Sequence, residues 1–317
     1  MVLKALSISV VTLFIGGCFG GGGGGGSSAS ISQFVKYSEV PAGVRIQVTN
    51  AQTQEATWTQ DVQGGVVGAI QSVSAPSAVG FTGTLDETYD NSNTVTKASY
   101  STSEGTLISF GTGDSIGVWA QNPNISFLSS QDGSDYILYS NPSLSGFDYQ
   151  NFGVWVKGGG TVSGSVGTIS VGFVADSSVI PTTGTAVYTG TATGFYAGDI
   201  SAAGDPAHTS YFVDADVSLT ANFANSSITF ATANSILTSD FDQAYSDATN
   251  LLDLTGTLTI NGTNFTGNVS NSNLLSGSAT GRFYGDASEV GGTFLVQEAG
   301  AGSNKDTYIG AFGASSL

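Results

Sequence analysis

Apolar and polar residues alternate with a period of two along most of this chain. The clearest example is the segment 211–223, in which apolar residues at the odd positions alternate with mainly polar ones, including Asp214 and Asp216. Successive side chains of a β-strand point to opposite faces, so the pattern predicts a strand with one buried face. We therefore expect Asp214, Asp216 and, in the similar segment 252–260, Asp253 to point into solvent.

Segments of this kind are short and are separated by Gly, Asn, Asp and Pro, which predicts an all-β protein. Eight antiparallel strands are expected after Pro181, a number that closes a small barrel. Asn261-Gly262 is typical of a type I′ turn between the fourth and the fifth of them. The eight strands are predicted at 185–194, 210–223, 227–234, 252–260, 263–270, 277–285, 291–298 and 307–314.

The N-terminal half is rich in β-patterns but less regular. The segments 64–80 and 237–250 are expected to be loops, and the Pro- and Gly-containing segment 179–184 is the predicted domain boundary. We expect a β-rich domain over 31–180, called the handle below, and a barrel domain over 181–317. Strands of the handle are predicted near 44–49, 97–110, 115–120, 134–140, 147–157 and 166–175.

The first residues resemble the leader of an exported lipoprotein. Lys4 precedes an apolar run that is too short to span a bilayer, and the run ends in Ile15-Gly16-Gly17-Cys18, which resembles a lipobox. We expect a signal peptide over 1–17 and acylation of Cys18, including palmitate. The Gly- and Ser-rich segment 18–30 is typical of a flexible tether. Cys18 is the only cysteine, which excludes a disulfide within the chain.

The charge balance bears on the partners of the protein. Seven Lys and Arg stand against 24 Asp and Glu, for a net charge of −17. Binding to nucleic acid depends on cations that neutralise phosphates, so we expect no nucleic acid partner. The negative electrostatic field of the chain would also steer a basic partner toward it. The simpler interpretation of the acidic residues is a solvated surface that keeps an exported protein soluble.

Residues that would support an enzyme are sparse. His208 is the only histidine, so it is the one candidate base for a Ser-His-Asp triad. Because it lies in a turn-like segment, an exposed loop histidine is the simpler interpretation. Asp214 and Asp216 would serve as paired carboxylates for glycoside chemistry or calcium, but their alternation favours outward-facing strand residues. No zinc or EF-hand spacing occurs. We expect no enzyme activity and no metal site.

Haem is the one small ligand for which the sequence offers candidate ligands. His208 is the candidate to ligate the iron from its loop, and buried packing of the tyrosines is the alternative to a ligand role. The tyrosines concerned are Tyr188, Tyr196, Tyr211 and Tyr284.

Three segments resemble a known family. They are PTTGTAVYTG at 181–190, GRFYGDASEVGGTF at 281–294 and IGAFGA at 309–314. In content, order and position they are similar to the barrel domain of transferrin-binding protein B and its relatives, which include factor H binding protein and hemophilin-type haem binders. The segment GFDYQNFGVWV at 146–156 resembles the strand that precedes that barrel, and residues 31–145 correspond by position to a handle domain. The chain has room for one handle and one barrel, so a single-lobe relative is the better comparison.

The resemblance implies a binding protein. We expect a monomeric outer-membrane lipoprotein that faces the cell exterior and presents handle and barrel loops to a macromolecule or an iron carrier. The resemblance also implies export to the outer face by a surface lipoprotein assembly modulator. One alternative is a carrier of haem or another small ligand, and another is a structural envelope lipoprotein without a discrete ligand. The sequence leaves the identity of the ligand open.

Overall fold

The computed structural model describes residues 30–31, 36–63, 66–74, 76–90, 95–198, 210–239, 246–272, 274–299 and 306–316. The predicted signal peptide, Cys18, most of the predicted tether and His208 lie outside the described residues. Within the described part of the chain, no helix is long and apolar enough to cross a membrane.

The N-terminal part forms one curled sheet in which a single long strand, β2, contacts strands on both sides. The strands lie in the order β6-β5-β4-β2-β11-β10-β9-β8-β7, with β1 and β3 also paired to β2. A helical turn at Pro142–Ser145 and 3-10 turns at Tyr37–Glu39 and Ser177–Val179 connect or follow the strands. The strands are β1 (Ser30–Ile31), β2 (Arg45–Gln63), β3 (Val66–Val73), β4 (Gly80–Tyr89), β5 (Val95–Ser101), β6 (Leu107–Phe110), β7 (Ser115–Val118), β8 (Ile125–Ser129), β9 (Tyr136–Ser140), β10 (Gln150–Lys157) and β11 (Ser163–Gly172).

The C-terminal part forms a second sheet that closes on itself. Its order is β13-β12-β20-β19-β18-β17-β16-β14, and β13 also pairs with β14, so eight antiparallel strands complete a barrel to which β15 adds a short edge. The predicted fold class, an all-β handle followed by an eight-stranded barrel, is confirmed. The strands are β12 (Thr185–Ala197), β13 (Ser210–Asn222), β14 (Ser227–Ser239), β15 (Ser246–Ala248), β16 (Thr255–Asn261), β17 (Asn264–Ser270), β18 (Leu275–Tyr284), β19 (Glu289–Glu298) and β20 (Thr307–Ser316).

Three local predictions were wrong. The predicted loop at 64–80 contains β3, which pairs with the second half of β2. The predicted loop at 237–250 contains the end of β14 and all of β15. The β16–β17 hairpin turns at Gly262-Thr263, one residue later than expected, because Asn261 still pairs with Asn264. Gly262 has φ of 62° whereas Thr263 has no positive φ, and a positive φ at the first loop position alone is typical of a type II′ turn, not of the expected type I′ turn.

Aromatic side chains fill the interior of the barrel. Phe230 and Phe312 have ring centroids 5.1 Å apart, and Phe265 and Phe283 have centroids 5.5 Å apart in an edge-to-face arrangement. Phe294 packs edge-on against Tyr308 at 4.9 Å. Such pairs contribute beyond their buried area, so the interior is a packed core of the kind found in small eight-stranded barrels.

The core of the handle contains a buried carboxylate. Glu87 is fully buried and accepts hydrogen bonds of 2.6 Å from the hydroxyls of both Tyr89 and Tyr100, and a longer one from the Asn151 amide. Burial raises the pKa of Glu87 to about 7, against the opposing effect of these donors. Glu87 lies on the inward face of β4, where an apolar residue would be expected.

A third apolar cluster joins the two sheets. The barrel contributes residues of its outer face, among them Phe195, Phe212 and Ile309, and the handle contributes Phe152 and Val154 of β10 with residues of its other strands. All five of these side chains are buried. The outer face of the barrel is therefore apolar where the handle covers it, and the two sheets pack as one body.

Phe212→Ala tests this contact. Phe212 is fully buried against Trp119, Phe127 and Phe195, so its truncation is expected to lower the free energy of unfolding by about 3–5 kcal/mol. Chemical denaturation measures the change. The matched control is Phe173→Ala, since Phe173 is 48% exposed and its loss is expected to have a small effect. Equal effects of the two substitutions would contradict the packing described here.

Candidate functional site

The handle covers one of the carboxylates that the sequence places in solvent. Asp214 points away from the barrel interior, as the alternation predicts, but it is only 3% exposed, so the expectation of solvent exposure was wrong. The reason is that the handle lies over this part of the outer face, and Trp119 Nε1 donates a hydrogen bond to Asp214 Oδ2. Asp216 is exposed, and Asp253 is half-buried and accepts a bond of 2.6 Å from Ser235 Oγ.

Asp214 forms part of a groove between the handle and the barrel. The groove has a volume of about 710 Å³. Its handle wall is the turn 121–124 with Phe147, and its barrel wall consists of residues from β12, β13 and β14 together with Ser315. A cleft of this size between two packed parts of a protein is a common form of ligand site.

Irregular backbone shapes the barrel wall. The pairing of β13 with β14 shifts register between Asp214 and Asp216, which is the signature of a β-bulge. Opposite this shift Asn234 adopts a positive φ of 57°, and its amide donates a hydrogen bond of 2.7 Å to Asp216. On the handle side, the Asn122 amide donates a bond of 2.8 Å to Thr191 Oγ1 of β12. Bulges often reorient a side chain beside a functional site, and this one lies at the rim of the groove.

Three residues that line the groove have a buried side-chain oxygen without a hydrogen-bond partner in the described part of the protein. These atoms are Asp214 Oδ1, Gln121 Oε1 and Ser145 Oγ. Burial raises the pKa of Asp214 to about 7, and the bond from Trp119 opposes that change only in part. Among the described residues that line the groove there is no Lys, Arg or His. The described lining of the groove is therefore acidic, with Asp214 and Asp216 and no cation.

Polar contacts elsewhere fix the handle on the barrel. The Glu289 carboxylate accepts hydrogen bonds from the backbone N–H groups of Asp148 and Tyr149, and burial raises the pKa of Glu289 to about 7. The Gln150 amide donates to the Val290 carbonyl at 3.0 Å. A side chain at Gly291 would overlap the Gln150 amide, so a larger residue there would displace that amide from its present position.

The structure gives the tyrosines considered for haem a packing role. The Tyr188 hydroxyl donates to the Ala287 carbonyl at 2.9 Å, and that of Tyr196 donates to Asp306 at 2.6 Å. The Tyr284 hydroxyl lies 3.1 Å from Ser170 Oγ, and the Tyr211 ring stacks on Tyr196. All four tyrosines are buried. His208 and Cys18 lie outside the described residues, so their predicted roles stay predictions.

Sequence reasoning missed most of the groove. Trp119 lies in the predicted strand at 115–120 and Gln121 directly follows it, but a strand pattern does not show that either residue meets the barrel. For Asp214 a signal was present, because Phe212 lies on the same strand face and a large aromatic residue there indicates a covered surface.

The comparisons with known proteins concern the barrel first. Residues 180–316 match the family described as the C-lobe and N-lobe β-barrels of Tf-binding protein B. No sequence among the curated proteins matches the chain.

Among solved structures, the chain is similar to a mutant transferrin-binding protein B from Haemophilus parasuis, with 11% identity, a TM-score of 0.38, and coverage of 92% of this chain and 78% of the other. It is similar to transferrin-binding protein B from serogroup B Neisseria meningitidis, with 16% identity and a TM-score of 0.37, over 84% of this chain and 43% of that one. It is also similar to a surface lipoprotein, with 12% identity and a TM-score of 0.39, over 84% and 98%.

The raised pKa of the buried Asp214 carboxyl predicts how the stability of the protein depends on pH. The pKa of Asp214 is raised from 3.8 to about 7 on folding, so between these values the folded chain holds a proton that the unfolded chain releases. Stability then falls as pH rises through this range, by on the order of a few kcal/mol. Glu87 and Glu289, also raised to about 7, act in the same direction.

Asp214→Asn removes one of these groups and is expected to reduce the loss of stability between about pH 5 and about pH 8. Thermal unfolding at the two pH values measures the difference. The control is Glu104→Gln, which removes a carboxylate from an exposed turn. An undiminished pH dependence in Asp214→Asn would show that this carboxyl is not the buried group described.

Proposed function

We propose that this chain, whose residues 180–316 belong to the family of transferrin-binding protein B β-barrel domains, is a binding protein on the outer surface of an outer membrane. In this proposal the handle spans 31–180 and the barrel 181–317. Together they hold a macromolecular ligand or an iron carrier. Catalysis has no part in the proposal.

The packed interior of the barrel is the observation that carries the proposal. An eight-stranded barrel either holds one small ligand or is filled by its own side chains. Here Phe230, Phe265, Phe294 and Phe312 occupy the interior and are almost completely buried. This supports a ligand that contacts the outside of the barrel and the adjoining handle, where the groove beside Asp214 lies.

The proposed anchor is lipid on Cys18. Two or more acyl chains hold a protein on a membrane where one does not, since each buried methylene contributes about 0.8 kcal/mol. The tether over 18–30 would then separate the folded part from the bilayer.

Cys18→Ser is expected to abolish labelling with palmitate and to leave the precursor with its leader attached, because the acylated thiol is gone. Metabolic labelling and the mass of the product measure both effects. Ser27→Ala, nearby in the tether, is the control and is expected to label normally. Labelling of Cys18→Ser at the wild-type level would contradict the anchor.

The ligand is tested by affinity capture with the chain from residue 27 onward, which retains every described residue. Capture is performed from the native medium of the protein and, separately, from haem solution. A defined protein bound in a saturable manner is the expected result. A Soret band after incubation with haem would instead support the small-ligand alternative. Failure to retain anything would favour a structural envelope protein.

A further inference from the structure

Arg282 of β18 is a partly buried cation without a carboxylate partner. Among the described residues a single ion pair is formed, between Arg45 and Asp86, so no described carboxylate neutralises the Arg282 guanidinium. Arginine is rarely buried unless it is paired. The chain has only seven Lys and Arg against 24 Asp and Glu, so acidic partners are not scarce. The side chain therefore carries a charge that a bound anion would neutralise.

Two strands of the handle hold this guanidinium in place. Its carbon lies 4.2 Å from the centre of the Phe81 ring in β4, which is a cation–π contact. Nη1 donates a hydrogen bond of 2.9 Å to the Asn50 carbonyl. Asn50 has a positive φ of 65° and lies where the pairing of β2 with β4 shifts register, so this carbonyl belongs to a β-bulge. The guanidinium is therefore positioned before any ligand binds.

The guanidinium forms part of the wall of a surface pocket. Phe81 and Arg282 both line this pocket, which has a volume of about 360 Å³, within the usual range of small-ligand sites. Nε of Arg282 is solvent-excluded and unpaired, so it has no part in binding. Nη2 donates to no described residue and is not one of the solvent-excluded unpaired atoms, so it is accessible to a ligand.

The rest of the pocket wall is neutral and polar. Thr259, Asn261 and Asn264 are exposed, and their side chains form no hydrogen bond with another described residue. The hydroxyls of Thr266 and Thr280 lie 2.9 Å apart. No Asp or Glu occurs among the described lining residues. The pocket therefore combines one positive charge with several neutral donors and acceptors.

An uncharged face of the barrel continues from this pocket. Apart from Arg282, strands β16, β17 and β18 contain no charged residue, although the net charge of the chain is −17. Hydroxyl and amide side chains both donate and accept hydrogen bonds, as the hydroxyls of a sugar do. Beyond the pocket, two cross-strand rows of such side chains are exposed, namely Thr257, Asn268 and Ser278, and Thr255, Ser270 and Ser276.

We propose that the pocket binds a sugar that carries a carboxylate, within an oligosaccharide whose neighbouring units lie on the uncharged face. The carboxylate accepts from Nη2 of Arg282, the sugar hydroxyls bond to Asn261 and Asn264, and Phe81 supplies an apolar wall. Acidic residues elsewhere in the chain oppose this binding only weakly, because physiological salt screens charges beyond about 8 Å. The site goes beyond the proposed function, since it shares no lining residue with the groove beside Asp214 and needs no macromolecular ligand.

The first test compares saccharide probes on the chain from residue 27 onward, by calorimetry at neutral pH and physiological salt. We expect roughly millimolar saturable binding of trigalacturonate or of sialyllactose, two saccharides that carry carboxylates on different sugars. The matched neutral probes are the methyl ester of trigalacturonate and lactose, and each is expected to bind about tenfold more weakly than its acidic counterpart, because a charge-assisted bond is lost. Absence of saturable binding by both acidic saccharides, or equal binding of the neutral probes, would overturn the proposal.

An acidic segment of a protein is the competing occupant. Triglutamate offers several carboxylates without hydroxyls, so it is expected to bind about fivefold or more weakly than the acidic saccharide that binds. Binding of triglutamate with equal or higher affinity would overturn a saccharide as the ligand.

Variants locate the binding. Arg282→Gln is expected to weaken the acidic saccharide by about tenfold or more, and Asn264→Ala by about threefold. Lys97→Gln removes a cation from an exposed position of β5 and is the matched control, expected to bind as the wild type does. Asn264 is exposed, so Asn264→Ala decides the test if circular dichroism shows that Arg282→Gln is misfolded. Wild-type affinity in Asn264→Ala or in folded Arg282→Gln, or an equal loss in Lys97→Gln, would overturn the site.

Discussion

The packing of strand β10 against the outer face of the barrel is the contact on which the other features depend. In β10 every residue from Gln150 to Val156 is buried, because one face of the strand packs into the handle and the other against the barrel. Phe152 and Val154 meet Phe195 and Phe212 in one apolar cluster. Without this cover, a barrel face with several large apolar residues would be exposed to water.

The same contact creates the electrostatic character of the groove. It brings Trp119 over β13, so a carboxylate that the barrel alone would expose becomes buried at Asp214. Desolvation of the charged form then raises the pKa of that carboxyl. Packing between the two sheets thus turns an aspartate on the outer face of the barrel into a buried carboxyl, at a cost in stability that increases with pH.

Period-two patterns were sufficient for the barrel, because each of its eight strands has one face in a single apolar core. In strand β13 the alternation placed Asp214 on the correct face. It did not predict that Asp214 is buried, because a pattern within one strand carries no information about another sheet that packs on that face. In the handle, β4 was missed because Glu87 occupies an inward position, where two tyrosine hydroxyls satisfy it. The position of Gln121 in the groove could not be predicted, because it depends on how closely the turn 121–124 approaches β13 in the folded protein.

A measurement of cooperativity tests the central claim, that handle and barrel form one packed body. All three tryptophans, Trp58, Trp119 and Trp155, belong to the handle, so tryptophan fluorescence reports on the handle and, through Trp119, on its contact with the barrel. Far-ultraviolet circular dichroism reports on both sheets. We predict that the two signals change together in a single denaturant transition. A dichroism transition that persists after the fluorescence change is complete would show that the barrel does not depend on the handle, and would contradict this account.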